Sequence, residues 1–164
     1  MAPAAPPIDK AVSLRGALLL RDFTDVGVKI LAEVAEQRSV GAGTFAFKAG
    51  DPSDALAFVA QGVLHLVAQE GGAALGEVAS RDSIGGMSLL VEGEHLLSAL
   101  AATDVELLQI SRPAFEEMKR THPRTALKLT MALAQDLAER LREAKGPLRE
   151  FLVWQISKRQ AEGR

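Results

Sequence analysis

The chain has 164 residues, 48% of them hydrophobic, with a formal net charge of −2 and no cysteine. That length predicts one domain with a small appendage, and the apolar share is ample for a core. The slightly acidic balance, without a basic stripe, argues against direct nucleic-acid binding by phosphate neutralisation. The missing cysteines exclude disulfides, thiolate nucleophiles and cysteine-ligated zinc, and fit a cytoplasmic location.

The first ten residues, MAPAAPPIDK, are rich in Pro and Ala and lack the basic and apolar regions of a secretory signal; residues 1–10 read as a disordered tail. No apolar run approaches the ~18 residues that a membrane span needs. Leu14 to Leu20 predicts a helix. Asp25 to Glu36 predicts a second, with Val26, Ile30, Leu31 and Val34 at helical spacing.

From Val40 the period changes. Phe45 and Phe47 alternate with Ala46 and Lys48, and Ala49 to Asp54 (AGDPSD) is a turn signal. Val63 to Val67 alternates around His65, and Glu70-Gly71-Gly72 predicts a hairpin. Leu75 to Val78, Leu97 to Ala101 and Val105 to Ile110 are further short strands, and their spacing predicts a small antiparallel roll.

The chain then turns helical. Ser111 is the expected N-cap of a helix with Pro113 in its first turn. Arg124 to Ala144 is a longer helix, with Ala126, Leu133, Leu137, Leu141 and Ala144 on its main apolar arc. A surface helix needs only one apolar stripe. Leu129 and Met131 fall outside that arc, and this surplus predicts a second contact of the helix, through Leu129, Met131, Leu133, Leu137 and Leu141, with another copy of the chain, a protein partner, or both. Gly146-Pro147 breaks that helix. In the short extension that follows, Phe151 and Trp154 either pack back on the domain or form a partner surface. The expected organisation is a tail at 1–10, a domain at 11–145 and an extension at 146–164. The fold class is α+β, mainly β: a jelly-roll-like antiparallel β-roll flanked by N-terminal helices and a long C-terminal helix.

Catalytic chemistry finds no foothold. His65 has no ligand partner at metal spacing and reads as a strand-surface residue. His122 before Pro123 ends a helix. Asp51 and Asp54 are turn residues, without the spacing of a metal loop. The sequence holds no Ser/His/Asp arrangement, P-loop or zinc motif. The expectation is a non-enzyme with no metal and no cofactor.

Four pieces, in order, resemble the cyclic-nucleotide-binding domain superfamily, which includes bacterial catabolite-activator-like regulators and protein kinase A regulatory subunits. They are Val40-Gly41-Ala42-Gly43-Thr44-Phe45, the stretch from Gly50-Asp51 through Phe58-Val59 to Gly62, Ile84-Gly85-Gly86-Met87-Ser88-Leu89-Leu90, and Ala101 to Leu108. The third is similar to the family's phosphate-binding cassette. In ligand-binding members that cassette carries a glutamate for the ribose hydroxyl and, about nine residues later, an arginine for the cyclic phosphate. The resemblance places Gly86 at the glutamate position and His95 at the arginine position, followed by Leu96 and Leu97; a further glycine position falls on Arg81.

Both ligand-defining side chains are therefore missing while the backbone frame remains. A cyclic phosphate keeps a full charge, and hydrogen bonds to charged groups are worth about 1.5–3 kcal/mol each. Losing the guanidinium fork and the glutamate costs roughly 3–6 kcal/mol, or about two to four decades in affinity. The remnant ligand site, if one persists, comprises Gly85, Gly86, Met87, Ser88, His95, Leu96 and Leu97. His95 is either a pH-dependent phosphate contact or a loop histidine; Leu96 and Leu97 either line an apolar pocket or fill the nucleotide's space. The resemblance also implies a regulatory module in place of a catalyst. Bacterial relatives often carry a winged helix-turn-helix after the long helix, and 18 residues from Pro147 onward are too short for one.

Overall fold

The computed structural model describes residues 6–144, 146, 150, 153–154 and 157–158. Helix α1 (Lys10–Arg15) is capped by Asp9, whose carboxylate accepts from the Val12 amide at 3.0 Å, and α2 (Asp25–Val34) by Thr24, which accepts from Gly27 at 3.2 Å. Ten strands follow: β1 (Glu36–Val40), β2 (Phe45–Phe47), β3 (Pro52–Ser53), β4 (Ala55–Gln61), β5 (Val63–Val67), β6 (Ala74–Ala79), β7 (Ser83–Ile84), β8 (Gly93–Glu94), β9 (Ser98–Ala101) and β10 (Val105–Ser111). Helices α3 (Arg112–Thr121) and α4 (Pro123–Glu143) complete the order.

All pairings are antiparallel. One sheet runs β1-β10-β4-β7, the second β2-β9-β5-β6, and β3 pairs with β8. This is the α+β, mainly β roll with a long C-terminal helix that the sequence predicts. The run ALAFVAQ of β4 looks continuously apolar because both its faces are covered. Leu56 and Phe58 join the core under the helices, while Ala57 and Val59 face the interior of the roll. β10 divides the same way, with Leu108 and Ile110 toward the helices and Val105 and Leu107 inward. Burying a side chain of this size contributes about 1.5–3 kcal/mol, so these two strands tie the two cores into one unit.

Several boundaries differ from the sequence reading. Leu14 to Leu20 is not one helix: Gly16 closes α1, Ala17 is extended, and Leu18–Leu20 forms a separate 3-10 turn. The second helix stops at Val34, because Ala35 is extended and Glu36 enters β1 opposite Gln109. Residues 1–5 lie outside the described residues, yet order reaches into the stretch read as a tail. The Ile8 amide donates to Gln37 at 3.1 Å, and Ile8 packs on the helical core.

The largest correction concerns α4. Leu129 and Leu133, read as part of a partner seam, are 0% and 6% exposed and belong to the core of their own chain. Leu137 is half-buried, and only Met131 and Leu141 of that set are exposed. Leu133 had been placed on the main arc and Leu129 outside it. In the fold both lie on one buried face with Ala126, because the roll curves up to meet the helix.

Candidate functional site

The cassette begins where β7 leaves the sheet. Ile84 pairs with Ala57, and Gly85 then takes φ +80, where a Cβ would lie 2.4 Å from the Ala55 carbonyl oxygen. Only glycine makes that turn without strain. The 3-10 turn Gly86–Leu89 follows and buries Leu89 in the helical core and Ser88 beside Ser53, hydroxyl to hydroxyl.

Gly86, the glutamate position, sits beneath α4. A Cβ there would lie 2.5 Å from Leu133 Cδ2. A side chain at this position would therefore need the tip of Leu133, on the long helix, to shift.

The far end of the cassette is held by a residue that the sequence reading treats only as part of a helix start. Arg112 Nε donates to the Ser88 carbonyl at 2.8 Å and Nη2 to the Val91 carbonyl at 2.9 Å, while Nη1 pairs with Glu92 at 3.2 Å. These bonds span more than twenty residues of chain, so no local pattern announces them. They also turn Glu92 toward Arg112.

Beside the cassette, inside the roll, lies a cavity of about 210 Å³. Its lining includes Arg38, Phe47, Asp51, Asp54, His95 and Gln109, with Gly85 at its edge. Ligand pockets usually run about 300–1,000 Å³, so this one is small. Of the seven predicted site residues, Gly85 and His95 line it. Gly86, Met87 and Ser88 do not, nor do Leu96 and Leu97. Leu96 is 92% exposed, so it neither plugs the cavity nor lines an apolar pocket. Its backbone explains this: the Gly50 amide donates to the His95 carbonyl at 2.8 Å and the His95 amide to the Asp51 carbonyl at 2.9 Å, and Leu96 follows that anchor.

The His95 ring stacks on Phe47, with centroids 3.6 Å apart and planes 12° from parallel. Burial in that stack lowers its pKa from the ordinary value, against the opposing pull of Asp51 and Asp54. That shift favours the neutral imidazole, which offers a cyclic phosphate less charge than an ordinary histidine would. The lining's cation is Arg38, whose Nη2 donates to the Ala46 carbonyl at 2.7 Å; Asp51 and Asp54 belong to the same lining. Arg38 and Gln109 escape sequence reasoning because each sits on a strand whose pairing, Glu36↔Gln109 onward, is long-range.

A depressed histidine pKa has a signed consequence. Below the ordinary value near 6.5 the unfolded chain takes up a proton that the folded chain resists, so stability falls as pH drops through that window. Urea unfolding from pH 7.5 to 5.5 is expected to show a steeper loss for the wild type than for His95→Gln. Parallel pH profiles would contradict the neutral, stacked imidazole.

Two antiparallel sheets, with a glycine-turn cassette beside an inner cavity, form the β-roll. The family model for the Cyclic nucleotide-binding domain matches residues 37–122, more than half of the chain, and the chain belongs to that family. The N-terminal domain of a transcriptional regulator from Streptomyces coelicolor A3(2) aligns with a TM-score of 0.69 at 26% identity, covering 82% of this chain and 97% of that one. Thermus thermophilus Catabolite Activator Protein aligns at 0.68 and 33%, covering 82% and 62%. An uncharacterised NTE family protein of Mycobacterium tuberculosis is 30% identical over 149 residues, 91% of this chain and 25% of that protein. Glutaminase 2 of Bradyrhizobium diazoefficiens is 28% identical over 134 residues, 82% and 21% respectively. The chain thus spans about a quarter of the length of the mycobacterial NTE family proteins it matches and a smaller share of other curated relatives. No helix among the described residues is long and apolar enough to cross a membrane.

Proposed function

We propose that this chain is a non-catalytic regulatory module with a degenerate cassette, one that does not take up cAMP or cGMP in the usual way and acts through its helices on protein. The observation that supports the reading is the closeness of α4 to Gly86: a Cβ at the position where the resemblance expects the ribose-binding glutamate would lie 2.5 Å from Leu133 Cδ2. The lowered pKa of the stacked His95 and the carboxylates of Asp51 and Asp54 in the cavity lining support it. So does the range of relatives, because one such domain accounts for about a quarter of an NTE family protein and about a fifth of a glutaminase.

The expected partner is a second copy of the chain. Leu127, Met131 and Leu141 of α4 are 63%, 54% and 44% exposed, and Ala134 and Ala138 between them are exposed too. Their spacing alternates four and three residues, the repeat by which two helices interlock along a seam. In sedimentation velocity the wild type is expected to run as a dimer and the double variant Leu127→Asp/Met131→Asp as a folded monomer. A wild type that stays monomeric at high micromolar concentration would remove the seam.

A second reading, a sensor of another small effector, rests on Arg38, a cation on the cavity wall. Thermal-shift measurements with cAMP, cGMP and cyclic dinucleotides separate the two. A ligand at 100 times its dissociation constant stabilises by about 2.7 kcal/mol. The first reading predicts flat melting temperatures, and a shift abolished by Arg38→Ala would favour the second.

A further inference from the structure

Phe151 of the C-terminal extension lies outside the described residues and Trp154 is 55% exposed; a better-defined set of side chains lies at the inner cavity of the roll. That cavity brings both signs of charge to one lining. Arg38 stands on β1, Asp51 precedes β3, and Asp54 separates β3 from β4. All three are exposed, which puts them at the cavity's mouth. Behind them the wall is apolar, with Ala46 and Ala57 buried and Phe47 and Ile84 half-buried. Opposite charges in one lining ordinarily pair. Here Arg38, Asp51 and Asp54 make no ion pair among the described residues. Arg38 Nη2 donates to the Ala46 carbonyl, while Nε and Nη1 have no hydrogen-bond partner among the described residues. One oxygen of Asp51 accepts from the Lys48 amide at 2.8 Å. The Asp54 carboxylate and the Gln109 side-chain amide have no hydrogen bond among the described residues.

We propose that this cavity takes up a small zwitterion, an α-amino acid with a compact apolar side chain such as valine. Its carboxylate meets Arg38, its ammonium meets Asp51 and Asp54, and its side chain lies against Phe47, Ala57 and Ile84. Charge selects this class. A simple anion would meet two carboxylates for one guanidinium, and a simple cation would meet the guanidinium. A molecule that carries both charges on one carbon satisfies both, and the guanidinium fork suits a carboxylate. Size agrees. The cavity of about 210 Å³ has the room of about seven water molecules at ~30 Å³ each, close to the roughly eight non-hydrogen atoms of valine. The proposal rests on the second reading above, that the cavity is an effector site, and it is compatible with a cassette that takes up no cyclic nucleotide.

Thermal-shift measurements on the full chain with L-valine, isobutylamine and isovalerate test it, because the last two keep the side chain and one charge each. L-Valine at about 100 times its dissociation constant is expected to raise the melting temperature by roughly 5–10 °C. Each single-charge analogue at the same concentration is expected to raise it far less. Arg38→Ala and Asp54→Asn are each expected to remove the valine shift. Both side chains are exposed, so the melting temperatures without ligand should stay near that of the wild type. An equal rise with isobutylamine or isovalerate would overturn selection of a zwitterion, as would a valine shift that both variants retain. A shift with a cyclic nucleotide and none with L-valine would overturn the proposal while leaving the cavity an effector site. Flat melting temperatures with all of them would overturn both.

Discussion

Leu133→Asp is expected to unfold the domain, not to separate a dimer. Loss of a buried leucine side chain costs about 2–5 kcal/mol, and the introduced carboxylate becomes an unpaired buried group at a further ~1–3 kcal/mol. A domain's whole stability is about 5–15 kcal/mol. Leu133 is 6% exposed and touches both Gly86 and the core around Leu129. The buried residues packed with it in that cluster are apolar, a poor setting for a new charge. Far-UV circular dichroism and urea titration check the outcome. A Leu133→Asp protein that keeps the wild-type urea midpoint and merely sediments more slowly would return Leu133 to a partner seam.

Gly85→Ala is expected to destabilise by about 2–5 kcal/mol. The left-handed conformation at φ +80 costs a side-chain-bearing residue about 1–2 kcal/mol. The added methyl would meet a backbone oxygen at 2.4 Å, and overpacking of that kind costs about 1–3 kcal/mol. The oxygen belongs to Ala55, which is fixed in β4 opposite Ser111, so it has little room to retreat. Gly93→Ala, in the same loop, meets nothing within 4 Å and is the control; surface changes of that sort stay within about 0.5 kcal/mol. Equal urea midpoints for the two variants would mean that the cassette turn is not fixed as described.

The roll was legible because its signals are local. Glu70-Gly71-Gly72 does join β5 to β6, Ser111 does cap α3 by accepting from the Ala114 amide at 3.3 Å, and β10 falls where the apolar run Val105 to Ile110 placed it. The Ala49 to Asp54 turn was only half right, since Pro52 and Ser53 pair with β8 across some forty residues. The cassette's frame was legible from its glycines, but its meaning was not. Helical periodicity gives the angle of Leu133 on α4 and says nothing of what it meets, so the filled space at Gly86 emerged only from tertiary packing. The same limit hid Arg112, whose partners are carbonyls more than twenty residues away, and it put Leu96 in the pocket when its side chain faces water.

Arg81 shows a local rule giving way to a tertiary contact. It has φ +82 where the family resemblance expects glycine. Its Nε bonds the Gly16 carbonyl at 2.9 Å, and its own carbonyl accepts from the Leu18 amide at 2.9 Å. Those two bonds stitch the N-terminal helices to the strand that leads into the cassette, and they offset the strain of a non-glycine residue in that conformation.

The central proposal is that the cassette does not take up a cyclic nucleotide in the usual way, with Leu133 of α4 close to Gly86 and His95 stacked on Phe47. Calorimetric titration of the full-length chain with cAMP and with cGMP at pH 7 tests it most directly. The account predicts no binding below high micromolar concentration for either. Low-micromolar binding of either nucleotide would contradict it.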